Sequence, residues 1–304
     1  MKSDKRYIVE NGPSRVDKYL VSEIKDMTRS ELKNYFDEHK VYVNGKIAKP
    51  SYTVRPGDEV IVNYRETIIL DVEKEDIPLD IVYEDSDVIV VNKKSGMVVH
   101  PAFGHFKGTL VNALMHHCSD LSSINGVVRA GIVHRIDKDT SGLIVACKND
   151  LAHRSISLQL KNKTAIRKYY AIVYGSIPHN LGRIDAPIGR HLTARQKMAV
   201  VEGGKEAVTN FRVIERFDNF TLVELSLETG RTHQIRVHMA YIGYPLLGDP
   251  LYGPKKVYGT TGQYLHAKTL GFLHPRTNEY LEFDSELPEK LTKIINLLHN
   301  KQTI

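Results

Sequence analysis

The sequence predicts an α+β protein, with a small N-terminal α/β unit ahead of a larger domain built on a mostly antiparallel mixed sheet. Three features predict it. Short β-prone runs recur through the second half with turn signals between them. Helical spacing is confined to a few short stretches. Residues 65–79, RETIILDVEKEDIPL, are acidic, carry one proline and read as a connector, which places the two units at 1–64 and 80–304.

The first unit reads as two short helices and a small sheet. Asp17 to Ile24 has helical spacing, with Tyr19, Leu20 and Ile24 on one face. Thr28 followed by Glu31 forms a capping box, so a second helix is expected from there, striped by Leu32, Tyr35 and Phe36. In VYVNGKIA, Asn44-Gly45 separates two β-prone runs and predicts a tight hairpin, because both residues tolerate positive φ. A Pro56-Gly57 turn precedes the strand EVIVNY. Arg15, Lys18, Arg29, Lys33, Lys46 and Lys49 decorate this unit, the helix-borne ones outside the apolar stripe.

In the larger domain, DVIVVN, KYYAIVYG, AVTNFRVIERF and FTLVELSLE are the expected strands, the last two joined at Asp218-Asn219. Thr232 is expected to cap a helix over HQIRVHMAYI, with Gly243 as its left-handed stop and Pro245 beyond. Pro288 suits the first turn of a terminal helix carrying Leu291, Ile294, Ile295 and Leu298.

Composition narrows the function. The chain has 304 residues, 41% of them apolar, enough for a substantial core. No apolar run approaches the roughly 20 residues a membrane helix needs. The N-terminal stretch lacks the apolar segment of a secretory signal. Cys118 and Cys147 have neither disulfide-scaffold nor zinc spacing, so a cytoplasmic protein is expected. Net charge is +6 and unevenly placed: from Leu151 to Val201 the only acid is Asp185, against nine lysines and arginines. With Tyr169, Tyr170 and Tyr174 interleaved, that stretch favours a phosphate-binding face over a merely solvated one. Neither GxxxxGK[ST] nor GxGxxG occurs, and the histidines form neither HExxH nor the zinc-deaminase signature. No cofactor and no metal is therefore expected.

The segment GIVHRIDKDTSGLIVACKN carries the chemistry. An apolar approach leads into charged residues, then Thr-Ser-Gly, then a strand, which places side chains on a rigid scaffold while leaving them reachable. Asp137 stands between Arg135 and Lys138, which favour its ionised form, as a nucleophile requires. Taken alone, a salt-bridged structural aspartate would fit equally well.

HRIDKDTSGL resembles the signature of the RluA-type pseudouridine synthases, whose HRxD aspartate is catalytic. The likeness extends through VNKKSGMVVHPAFGHFKGTLVNAL, RKYYAIVYG and LETGRTHQIRVHMAYIGYPLLGDPLYG, in order, and is strongest to the RluD branch. RVDKYL, TRSELKNYF, VYVNGK and the PGDEV turn resemble the alpha-L RNA-binding motif shared with a small-subunit ribosomal protein. The resemblance implies a pseudouridine-synthase fold with an N-terminal RNA-binding domain, and isomerisation of uridine in large-subunit ribosomal RNA. It implies Asp137 as nucleophile or acid–base residue, Tyr169 stacked on the uracil and Arg236 paired with Asp137. Arg135 would help extrude the nucleotide, with His134, Thr140 and Arg231 around it. Arg15, Arg29, Lys33 and Lys46 would contact RNA. Sequence spacing leaves Arg231 an alternative to Arg236, and Tyr170 an alternative to Tyr169. The competing readings are a transfer-RNA pseudouridine synthase and a non-catalytic RNA-binding ribosome-assembly factor.

Overall fold

The computed structural model describes residues 4–24, 29–63, 72–102, 104–194, 196–254 and 262–301, and the chain divides into compact units at 1–69 and 70–304. In the first unit the order is β1 (Asp4–Ile8), β2 (Ser14–Arg15), α1 (Val16–Glu23), α2 (Arg29–Asp37), β3 (Val41–Val43), β4 (Lys46–Ile47), β5 (Thr53–Val54) and β6 (Glu59–Asn63). Its main sheet runs β1-β6-β3-β4, with β2 paired to β5. Period-2 alternation in β6 sends Val60 and Val62 inward against Leu20, Leu32 and Phe36. Asn44 and Gly45 both have positive φ, 48° and 74°, and join β3 to β4 as the hairpin signal predicts. Val16, Leu20 and Ile24 are buried on the core face of α1, and Tyr19 packs against the same core half-buried. The Thr28–Glu31 capping box lies outside the described residues.

The second unit continues with β7 (Ile81–Glu84), β8 (Val88–Lys93), α3 (Leu110–His117), β9 (Ser141–Cys147), α4 (Asp150–Lys161), β10 (Ile166–Tyr174), β11 (Leu181–Asp185), β12 (Ile188–Arg190), β13 (Met198–Val200), β14 (Val208–Arg216) and β15 (Phe220–Leu227). It ends with α5 (Gln234–Tyr241), β16 (Leu265–Leu273), β17 (Tyr280–Asp284) and α6 (Glu289–His299). The large sheet runs β11-β14-β15-β10-β16-β9-β8-β7, with β17 also on β16. Every pairing in it is antiparallel except β9 with β16, so the mostly antiparallel mixed sheet is as expected.

Gly142 permits that one parallel contact. Its φ is +110°, and a Cβ there would stand 2.2 Å from the Ala267 carbonyl oxygen, so no other residue lets β9 approach β16. The glycine of Thr-Ser-Gly is thus a packing requirement that fixes where the preceding loop ends.

Three local expectations change. From Val72 onward the presumed connector belongs to the second unit: Val72 is buried in its core, and the Glu73 carbonyl oxygen accepts from Asn112 Nδ2 at 2.8 Å. Thr232 does not cap α5; His233 holds the N-cap position in a left-handed conformation, and the Gln234 Oε1 accepts from the Arg231 backbone N–H at 2.9 Å. Pro288 sits at the N-cap of α6, one position earlier than expected, while Leu291, Ile294 and Leu298 are buried as the stripe requires.

A buried histidine on β16 ties β9 to the residue that follows β17. His266 Nδ1 meets Ser141 Oγ at 2.9 Å, and its Nε2 meets Ser285 Oγ at 2.8 Å. Burial holds its imidazole down to about 4 from the ordinary 6.5, with Lys268 acting in the same direction and Asp284 opposing. Between those pH values the unfolded chain binds a proton here that the folded chain does not. Stability from this site is therefore complete above 6.5 and lost as pH falls towards 4, by on the order of 3 kcal/mol. His266→Gln, which does not titrate, is expected to flatten the fall in Tm between pH 7 and 4. An unchanged slope would remove His266 from that role.

Candidate active site

Asp137 is the first residue of a tight turn, Asp137-Lys138-Asp139-Thr140, in which the Thr140 N–H donates to the Asp137 carbonyl oxygen at 3.1 Å. The loop is pinned from both sides. Before the turn, Ile132 bridges to Ala146, and His134 Nε2 accepts from the Val145 N–H at 3.1 Å. Beneath it, at the end of β8, the buried Lys93 ammonium donates to the carbonyl oxygens of Lys94, Met97 and Lys138, at 2.8, 2.8 and 3.0 Å. Burial pushes the Lys93 amine down to about 7, against the pull of Asp139 and Asp137. The carboxylate therefore rides on a backbone whose carbonyls are already engaged.

Across the cleft, α5 presents Arg236. Its Nη1 donates to Asp137 Oδ2 at 3.1 Å. Its Nε and Nη2 grip the two oxygens of Asp249 at 2.7 and 2.8 Å, a bidentate pair. Asp249 is fully buried, and its Oδ1 also accepts from the backbone N–H groups of Leu251 and Tyr252. Burial alone would raise the Asp249 carboxyl, but Arg236 and those two N–H groups outweigh it and hold it low. Burial likewise works against the Arg236 charge, and Asp249 first, then Asp137, keep the guanidinium firmly protonated. The Tyr252 ring lies 5.2 Å from the guanidinium carbon. Among the described residues no hydrogen bond is donated to Asp137 Oδ1, and Asp137 lines the cleft.

Tyr169, on β10, lines the same cleft with Thr140, Leu227, Gly230 and Leu265. It is 6% exposed, while Tyr170 projects from the opposite face of the strand. Burial raises the Tyr169 phenol, Arg167 opposes and Asp137 reinforces the shift, so it stays a neutral ring and donor.

The remaining sequence candidates of the second unit line this cleft or the space beside it. Arg135 is exposed at the cleft wall. Arg231 also lines it, but its Nε donates to the Glu206 carbonyl oxygen at 2.8 Å, so the ion pair with Asp137 is made by Arg236. Thr140 is buried with its hydroxyl accepting from Gln263 Nε2 at 3.1 Å. His134 is not in the cleft with Asp137; it lines an adjoining cavity. In the first unit, Arg15 is engaged by Asp17 at 2.8 Å, Lys33 and Lys46 are exposed, and the Arg29 side chain lies outside the described residues.

Sequence reasoning passed over Asp249, His233 and Arg167. Asp249 sits in Gly-Asp-Pro, which reads as turn chemistry, and only its burial under Arg236 marks it. The basic stretch from 151 to 201 is also not one face: Arg167 and Tyr169 point inward, Lys168 and Tyr170 outward.

Known proteins share this architecture. The family model for RNA pseudouridylate synthases matches residues 87–241, and that of the S4 domain matches residues 14–60. The chain is 58% identical over 289 residues to YlyB of Bacillus subtilis (strain 168), named an uncharacterized RNA pseudouridine synthase, covering 95% of both chains. It is 43% identical over 302 residues to ribosomal large subunit pseudouridine synthase D of Pseudomonas aeruginosa, covering 95% of this chain and 93% of that one. Among solved structures, human RNA pseudouridylate synthase domain containing 1 matches with a TM-score of 0.56 and 25% identity, over 75% of this chain and 97% of that one.

Proposed function

The chain belongs to the RNA pseudouridylate synthase family, and from that premise we propose that it isomerises particular uridines of large-subunit ribosomal RNA, with Asp137 acting on the flipped-out nucleotide. It is an isomerase of RNA. The observation that carries the finer reading is the chain of contacts from Asp249 through Arg236 to Asp137, beside a buried tyrosine in one cleft.

Pseudouridine formation breaks the N1–C1′ bond, turns the uracil and joins C5 to C1′, expelling the C5 hydrogen. The product is an isomer of the substrate, so the overall balance calls for no redox carrier or nucleotide. A stacked uridine must first leave its helix or loop, at a cost of a few kcal/mol. The Tyr169 ring offers a stacking face, and Arg135 a guanidinium plane at the cleft wall, to offset part of that cost. Arg236 fixes one oxygen of Asp137 and leaves the other for substrate. That oxygen can attack C1′, attack the uracil ring or remove a ribose proton; all three routes use the same lone pair.

Two observations favour ribosomal RNA over transfer RNA: the S4 match, and relatives named for the large ribosomal subunit. Arg15, Arg29, Lys33 and Lys46 of that domain supply charge for phosphate contacts. The test is release of tritium from uracil C5 of labelled RNA. Wild-type protein is expected to release label from large-subunit ribosomal RNA and not from transfer RNA. The reverse preference would move the substrate to transfer RNA, and silence on both with RNA binding intact would leave a non-catalytic binding factor.

A further inference from the structure

Arg167 stands on β10 two residues before Tyr169, so both side chains leave the same face of the strand. It is 7% exposed, and its Nε is buried without a hydrogen-bond partner. Its Nη2 reaches the Leu227 carbonyl oxygen at 3.5 Å, the outer limit of such a bond. Burial works against the charge, yet a guanidinium cannot shed its proton as a buried lysine can. A buried cation left this way destabilises the fold unless something else pairs with it.

The guanidinium borders a cavity of about 520 Å³ beside the Asp137 cleft, and Arg135, Gly230 and Arg231 line both. Arg129 and Lys161 add positive charge to its wall. The two carboxylates there are committed to other groups. Glu206 holds Lys163 at 2.7 Å, and Glu228 holds Arg183 and the Asn210 side-chain amide. Gly230 makes room for the guanidinium itself, since a Cβ there would stand 2.8 Å from Arg167 Nη1. The lining holds Arg129, Arg135, Lys161, Lys163, Arg167 and Arg231 and no Phe, Tyr or Trp, a wall that suits a phosphate better than a stacked base.

We propose that Arg167 binds a phosphodiester of the RNA backbone, next to the uridine that enters the Asp137 cleft. The two non-bridging oxygens of a phosphodiester match the planar donors of a guanidinium, and the single negative charge supplies the missing counter-ion. Held there, the phosphate fixes the strand on the side of Tyr169 from which Arg167 projects. This rests on the RNA-substrate reading above.

Arg167→Met, close in length and without charge, tests it, with Arg167→Lys as the charge-retaining companion. In inorganic phosphate, against chloride at matched ionic strength, the wild-type Tm is expected to rise more than that of Arg167→Met, whose shift reports only the general stabilising effect of phosphate. Affinity for large-subunit ribosomal RNA should weaken about 10-fold in Arg167→Met, and the slope of log affinity against log salt should shrink by about one. Arg167→Lys should recover part of both. Without phosphate, Arg167→Met should unfold no earlier than wild type, because it loses an unpaired buried charge. Equal phosphate shifts in wild type and variant, or an unchanged salt slope, would overturn the proposal. So would a lowered Tm with RNA affinity intact, which would make Arg167 a structural residue. Failure of wild-type protein to release tritium from any RNA would count against the activity instead, while the phosphate shift would still decide the site.

Discussion

Asp137→Asn is expected to reduce tritium release by at least about 10³-fold while leaving RNA binding and Tm close to wild type. The substitution keeps the shape of the side chain, and its amide oxygen can still accept from Arg236 Nη1. What disappears is the charge and the basic lone pair, and each of the three routes open to this residue needs them. Stability should change little, because Arg236 keeps its bidentate grip on Asp249 when the Asp137 charge is gone. The loop is also held by contacts that do not involve the carboxylate, from the Lys93 ammonium and from the Thr140 N–H. Measuring single-turnover release at saturating RNA separates chemistry from binding. Release at the wild-type rate would take Asp137 out of the mechanism and leave the enzyme with another group at its centre.

The parts of the fold that sequence shows are those encoded locally. Asn44-Gly45, the alternation of β6 and the stripe of α6 each state their own structure, because turn φ and side-chain period are properties of neighbours in the chain. The HRID segment is legible for a related reason: charged residues framed by apolar runs mark a loop held on strands. Legibility ends where a residue's meaning depends on what lies across the fold. Arg167 reads as one more surface cation until β10 is packed and its face is seen to be the Tyr169 face. The Thr232 cap fails because the helix starts one residue later, with His233 at the N-cap in a left-handed conformation. Val72 looks like connector because one valine in an acidic stretch carries no period, yet the core of the second unit claims it.

Asp249 makes the strongest case that the site is built in layers. Removing its carboxylate with Asp249→Ala leaves the Arg236 guanidinium, 5% exposed as a residue, with Asp137 as its one remaining hydrogen-bond partner among the described residues. Breaking a buried pair in this way costs about 3–5 kcal/mol, and for a unit of this size that lowers Tm by on the order of 10 °C. Activity should suffer separately. Without Asp249 the guanidinium is free to turn both arms towards Asp137, engaging its second oxygen. Tritium release at a temperature where the variant is folded should then fall by roughly 10²-fold, with RNA affinity unchanged. A lower Tm with wild-type release would reduce Asp249 to scaffolding. The double substitution Arg236→Met, Asp249→Leu sharpens the distinction. An apolar pair can replace a buried ion pair without loss of stability, so Tm should return most of the way to wild type. Activity should not return, because no cation remains to hold Asp137.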